Sequence, residues 1–292
     1  MKHDSNQITR DYFDSLLVET RFIDSELPDT TLELWGETFD TPVMTAALSH
    51  LHNICDNGMV EFALGAKNAG AVHWVGMGEP EDMEAVLSTT KTIRIIKPHA
   101  DNKDVLWRIE HAVKNGAFAV GMDIDHSFSY DGKYDVCRGL HMRPKSFDEI
   151  KMFVEAAGGV PFVVKGVLSV SDAVKCVEAG IGGIVISHHH GRTSYAVPPL
   201  MALPKIKEAV GDSLKIFVDC GVESGYDAYK ALALGADAVC VGRNLMEPLK
   251  EGSVGVTRRI GEITGELVAV MARTGVKNLK EFDPSVIYHR NF

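Results

Sequence analysis

The chain has 292 residues, 45% of them hydrophobic and 24% charged, with a formal net charge of −10, an ordinary globular composition with material for one large core. The acidic balance and the lack of any Lys/Arg block exclude nucleic acid or an anionic membrane as the main partner, and no apolar run approaches the ~20 residues needed to span a bilayer. A polar N-terminus, Met1–Asn6, and five scattered cysteines without a C-x-x-C pair (Cys55, Cys137, Cys176, Cys220, Cys240) predict a soluble, cytoplasmic small-molecule enzyme with reduced thiols.

In chain order, an N-terminal arm of about 1–41 precedes eight short β-branched runs: Pro42–Ala47, Ala71–Gly76, Thr92–Lys97, Phe118–Ile124, Pro161–Lys165, Gly182–Ser187, Leu214–Asp219 and Asp237–Gly242. Continuous apolar runs of this kind mark parallel strands buried on both faces. Between them Asp104–Lys114, Phe147–Ala157, Ser169–Glu178, Pro204–Val210 and Gly225–Leu234 have helical spacing, and a C-terminal helical segment, Ser253–Thr274, follows. The joints Asn68-Ala69-Gly70-Ala71, Asn115-Gly116-Ala117, Glu178-Ala179-Gly180-Ile181 and Leu234-Gly235-Ala236 repeat one helix-to-strand punctuation. No linker divides the chain. The expected fold is α/β, a single (β/α)8 TIM-barrel domain over 1–292 with an N-terminal arm and C-terminal helices. A long loop, Ser127–Ser146, is expected to wall the substrate.

Barrel enzymes keep their chemistry at the C-terminal ends of the strands, and those ends are crowded with ionisable groups: Lys97 and His99, Asp123 with Asp125 and His126, Lys165, Ser187-His188-His189-His190, Asp219 and Arg243. Buried charges are costly unless paired, so packing alone does not explain them. An imidazole beside the fork of Arg192 suits binding a carboxylate and deprotonating its neighbour. The competing reading is that the histidine triplet caps a strand and meets solvent. Loops Asp219–Gly225 and Val241–Asn244, with Gly221, Gly242 and Arg243, suit a phosphate, although glycine is also simple turn chemistry. Lys165 has a rival role as a Schiff-base lysine. Asp123, Asp125, His126 and His99 have metal-ligand chemistry, but Lys97 and Lys165 oppose a cation, so no metal is expected. His73 and Trp74 read as core residues, and Cys220 as a packing thiol.

The stretches Phe162-Val163-Val164-Lys165-Gly166-Val167-Leu168, Gly183–Arg192, Phe217-Val218-Asp219-Cys220-Gly221-Val222, Lys230–Ala236 and Val241-Gly242-Arg243 resemble the FMN-dependent 2-hydroxy acid oxidases and dehydrogenases, the glycolate oxidase and L-lactate oxidase family. Order and spacing match from about Pro161 to Arg243, and the first half resembles the family in outline. The resemblance implies FMN as cofactor, His189 as active-site base, Asp125 as its aspartate partner, Arg192 as the carboxylate-binding arginine and Lys165 at the flavin N1/O2 edge. Ser187 and Asp219 would contact the flavin and its ribityl chain, and Gly221, Gly242 and Arg243 its phosphate. Asp123 also falls on the cofactor side.

Departures from the family pattern are local. Ala47-Leu48-Ser49 stands where the family has a proline-threonine-alanine turn under the flavin. Lys97 and His99 replace a glutamine and a tyrosine, which puts Lys97 against the cofactor and His99 against the substrate. Glu223 replaces a phosphate-loop arginine. No residue aligns with a second substrate arginine after strand four, a role open to Arg138 or Arg143, and the N-terminal segment with an active-site tyrosine is expected to be absent. The implied function is oxidation of a small 2-hydroxy acid to the 2-oxo acid by a homo-oligomer. The alternatives are a non-redox lyase or aldolase using Lys165 or the His189/Asp125 pair, and a catalytically silent barrel binding a phosphorylated metabolite.

Overall fold

The structure is a computed structural model that describes residues 4–290. Eight parallel strands form the barrel: β1 (Val43–Thr45), β2 (His73–Val75), β3 (Thr92–Ile96), β4 (Ala119–Asp123), β5 (Phe162–Val167), β6 (Gly183–Ile186), β7 (Lys215–Val218) and β8 (Ala238–Val241). Each lies beside its neighbours in sequence, and β8 pairs with β1. The remaining seam, β1 to β2, is held by a parallel bridge between Leu48 and Val75. All eight expected strands are present; seven are shortened at one or both ends, while β5 starts one residue later than expected and runs on to Val167.

The period of two in a strand decides what enters the barrel. Met44 and Ala46, Trp74, Ile93 and Ile95, Ala119, Val163, Val185, Phe217, Ala238 and Cys240 form the interior cluster, while Ile96, Val120, Met122, Val164, Ile184, Ile186, Ile216 and Val218 belong to the cluster under the helices. Continuing the inward positions by one step of two reaches Lys97, Lys165, Ser187 and Asp219, and by two steps from Ala119, through Gly121, Asp123, all buried. The apolar interior therefore ends in a polar layer at the C-terminal face. At the opposite end a hairpin, Leu32–Leu34 with Glu37–Phe39, closes the barrel. Trp35 at its turn packs 5.5 Å from Phe118 and 5.9 Å from Phe217, ring to ring.

Helices α2 (Gly58–Asn68), α3 (Pro80–Thr89), α4 (Asn102–Lys114), α5 (Phe147–Ala156), α6 (Val170–Glu178), α7 (Pro199–Val210) and α8 (Gly225–Ala233) alternate with the strands, and α9 (Gly252–Thr274) packs across α2 and α8. Helices α2 and α3 lie outside the helical segments expected from sequence. In α2 the small residues Gly58, Ala63, Gly65 and Ala66 are buried. A Cβ on Gly65 would come within 2.4 Å of Val256, so close approach of α9 outweighs helix propensity there. The N-terminal arm is also structured. Helix α1 (Ser5–Ser15) lies against the loops after β6 and β7, and Leu16–Val18 pairs antiparallel with Ile287–His289.

Candidate functional site

The polar layer is a chain of alternating charges. Lys97 Nζ donates to Asp123 Oδ2 at 2.5 Å, and Lys165 Nζ stands 3.4 Å from Asp123 Oδ1, 3.3 Å from Asp219 Oδ2 and 3.3 Å from Ser187 Oγ. Burial works against every charge here, yet the lysines hold the Asp123 carboxyl well below the usual carboxylate range, and Asp123 and Asp219 hold the Lys165 ammonium well above its usual value. A Schiff-base lysine must be neutral to attack, so the lyase alternative built on Lys165 does not fit. The Cys220 thiol is pushed up to about 12 by burial and by Asp219, which suits a packing role.

The three histidines after β6 have three different jobs. His188 Nδ1 accepts from Gly191 N at 2.8 Å, so its Nε2 donates to Thr9 Oγ1 of α1 at 2.8 Å, and both ring nitrogens are spent. His190 Nε2 accepts from Arg243. His189, held with φ +49, turns Nδ1 toward Asp125 Oδ1 at 2.9 Å and Asp123 Oδ1 at 3.5 Å. Two carboxylates on Nδ1 fix the tautomer and leave Nε2 as the basic atom. Gly166 makes room for this pair. It sits in a bulge of β5 with φ +98, and a Cβ there would meet the Asp125 carboxyl at 2.7 Å.

Beside His189 a cleft of about 270 Å³ runs between Ala46-Ala47-Leu48 and the loops after β7 and β8, lined also by Lys165, Asp219, Gly221, Gly242 and Arg243. Lys97, Asp123 and Ser187 do not line it; they are buried in the polar layer joined to Lys165. Asp125 and Arg192 face a second cavity of about 540 Å³ between α5, α6 and the loop 127–146. The expected site residues thus divide between this cleft, the second cavity and the buried polar layer, joined through the His189–Asp125 contact. His99 is buried with Nδ1 3.3 Å from Asp104 of α4, and it does not line the cleft. Burial, opposed by Asp104, pushes its imidazole down to about 4. Arg143 is likewise turned away, tied to Glu149, Asn102 and the Ala100 carbonyl. Glu223 lines the cleft and is exposed, and Arg259 of α9 donates to its carbonyl at 2.8 Å and to Asn244 at 2.6 Å.

Sequence reasoning missed Asp135. It lies in the loop 127–146, accepts from Arg192 Nη2, and is 3.0 Å from His126 Nδ1. Arg192 also donates from Nε to the Asp125 carbonyl at 2.8 Å and from Nη2 to the Phe128 carbonyl at 2.9 Å. No sequence pattern marks Asp135 apart from its neighbours in a polar loop. His126, considered in sequence only as a metal ligand, packs edge to face on His189 with ring centres 4.6 Å apart.

The cleft fits a flavin mononucleotide. Arg243, Gly221, Gly242 and Lys165 all line it, and a Cβ on Gly242 would press on Ala46 at 3.3 Å, so glycine keeps a side chain from filling the cleft between Ala46 and the loop after β8.

A parallel barrel with a His–Asp pair, a buried lysine and an arginine-bearing glycine loop at its C-terminal face defines a barrel enzyme. Comparison with known proteins makes the class specific: the sequence model of the FMN-dependent dehydrogenase family matches residues 2–157 and 138–289, and the chain belongs to that family. An FMN-dependent alpha-hydroxy acid dehydrogenase of Schizosaccharomyces pombe is 46% identical over 125 residues, which is 42% of this chain and 31% of that protein. Glycolate oxidase 3 of Arabidopsis thaliana is 26% identical over 94% of this chain and 85% of its own. A mandelate oxidase variant solved with a C4a-OH-FMN adduct superposes with a TM-score of 0.88 at 25% identity, covering 96% of this chain and 90% of its own. The TIM-barrel fold and the FMN-dependent class expected from sequence are borne out. Among the described residues no helix is long and apolar enough to cross a membrane.

Proposed function

We propose that this protein oxidises a small 2-hydroxy acid to the 2-oxo acid with FMN, as one barrel domain in a cytoplasmic homo-oligomer. The observation that carries the reading is the His189–Asp125 pair at 2.9 Å, its free Nε2 beside the cleft that Lys165 and Arg243 line. FMN, when bound, supplies the acceptor for two electrons and the α-hydrogen. The chain supplies the rest. His189 Nε2 takes the substrate hydroxyl proton, and Asp125 and Asp123 stabilise the imidazolium that results. Arg192 receives the substrate carboxylate. Lys165 would offer the flavin a fixed positive charge, with Ala47 and Asp219 lining the same cleft and Lys97, Asp123 and Ser187 supporting that charge from the buried polar layer. Gly221, Gly242 and Arg243 take the phosphate. No metal role is proposed. Asp123, Asp125, His126 and His189 bring ligand atoms within 4.8 Å of one another, but the two lysines already supply the positive charge.

The test uses protein purified in its yellow form. His189→Asn should retain FMN and slow anaerobic flavin reduction by substrate about 10²- to 10⁴-fold. Protein that takes up no added FMN would refute the oxidoreductase reading. Wild-type reduction rates in His189→Asn would remove His189 as the base.

A further inference from the structure

The arginine that the proposed function assigns to the substrate carboxylate already holds a carboxylate of the protein itself. Two of its donor atoms, Nε and Nη2, are engaged by the Asp125 carbonyl, the Phe128 carbonyl and Asp135. A bidentate grip on an incoming carboxylate needs part of that fork back. The charges around it also oppose an anion. With neutral histidines, Lys97, Lys165 and Arg192 stand against Asp123, Asp125, Asp135 and Asp219, so carboxylates outnumber cations by one. A substrate carboxylate would double that excess in a partly buried site.

We infer that Asp135 is an intramolecular competitor for the substrate carboxylate at Arg192, and that the carboxylate seats there together with one proton taken up by the Asp135–His126 pair. This rests on Arg192 being the carboxylate-binding residue. When Arg192 turns to the substrate, Asp135 loses its counter-charge. His126 Nδ1, 3.0 Å from Asp135 Oδ2, is placed to replace it once Nε2 takes a proton and the ring becomes an imidazolium. The groups facing His126 are Asp135, Asp123, Lys97, His189 and Arg192, and those facing Asp135 are His126 and Arg192. In the free protein burial pushes the His126 imidazole down to about 4, with Lys97 acting in the same direction. It is therefore neutral before the substrate arrives, and its protonation is available to be coupled to binding. Proton uptake on binding makes affinity rise as pH falls. Asp135 thereby sets specificity, penalising an anion at Arg192 relative to a neutral group of the same shape.

The experiment titrates FMN-loaded protein with 2-hydroxyisobutyrate, which has no α-hydrogen to lose, and with its neutral amide, by calorimetry in buffers of different ionisation enthalpy. The acid should bring about 0.5–1 proton into the complex at pH 7 and lose up to about tenfold in affinity per pH unit above it, whereas the amide should bring none. Asp135→Asn should abolish the uptake and bind the acid at least about tenfold tighter, leaving the amide within about twofold. If that variant does not fold, His126→Gln gives the second reading, with uptake again lost. Acid binding without proton uptake in the wild type, or unchanged acid affinity in folded Asp135→Asn, overturns the inference while leaving the FMN reading intact. Protein that binds no FMN removes both.

Discussion

Gly166→Ala tests the packing that aims the catalytic pair, and its effect can be worked from the structure. At φ +98 an alanine is strained by about 1–3 kcal/mol. Its Cβ would also lie 2.7 Å from Cγ and Oδ2 of Asp125, so the carboxyl must retreat by roughly 0.7 Å to reach ordinary contact at 3.4 Å. The His189 Nδ1 to Asp125 Oδ1 distance of 2.9 Å would then stretch beyond hydrogen-bond range. A displacement of that size at a catalytic group costs about 10²-fold in rate. Stopped-flow reduction of the bound flavin under anaerobic conditions reads the rate, and urea unfolding reads the stability. In an Asp125→Gly background, which removes the Asp125 Cβ at 2.8 Å as well as the carboxyl, the clash is gone, so Gly166→Ala should there cost only the backbone strain and slow reduction no further. An identical stability cost in both backgrounds, with the reduction rate of the single Gly166→Ala variant unchanged, would show that Gly166 and Asp125 do not compete for space.

The phosphate end of the cleft gives a paired test. Arg243→Ala should weaken FMN retention by about 1.5–3 kcal/mol, the worth of a charge-assisted contact, and Glu223→Arg should tighten it and make it more salt-sensitive. Equal FMN affinities for wild type and Glu223→Arg across a salt series would place that carboxylate outside the field of the phosphate. In the barrel wall, burial pushes the His73 imidazole down from 6.5 to about 3, with Nδ1 3.0 Å from Thr45 Oγ1. The unfolded chain binds a proton there that the native state refuses, so stability should fall as pH drops from about 6.5 towards about 3 and be insensitive to this residue above that window. Urea midpoints at pH 4.5 and 7.5 should converge in His73→Gln, and an undiminished difference would assign the slope elsewhere.

What was legible in the sequence and what was not divides along one physical line. Strand ends obey a strict period of two, so once Ile93, Ala119, Val163, Val185 and Phe217 are placed inside the barrel, the inward direction of Lys97, Asp123, Lys165, Ser187 and Asp219 follows without any knowledge of loops. His189 was legible for a different reason: it stands two residues past Ser187 in a segment that matches a known family. Within the triplet, however, sequence could not divide the labour, because the partners that occupy His188 and His190 come from Thr9 of α1 and Arg243 after β8. His99 was misplaced because it lies beyond Pro98, where the period no longer holds. There the chain turns toward α4, and Asp104 draws the ring with it. Asp135 had no signal at all. Its loop has neither helical nor strand period, and its position depends on pairing across the chain between Phe128 and Tyr134 and between Val136–Cys137 and Leu140–His141. A barrel supplies a fixed ring of chemistry that one strand pattern suffices to read, whereas the charge inferred to compete at Arg192 sits on a loop whose geometry is set by short irregular pairings within it and by bridges to the segment after β3, none of which a period announces.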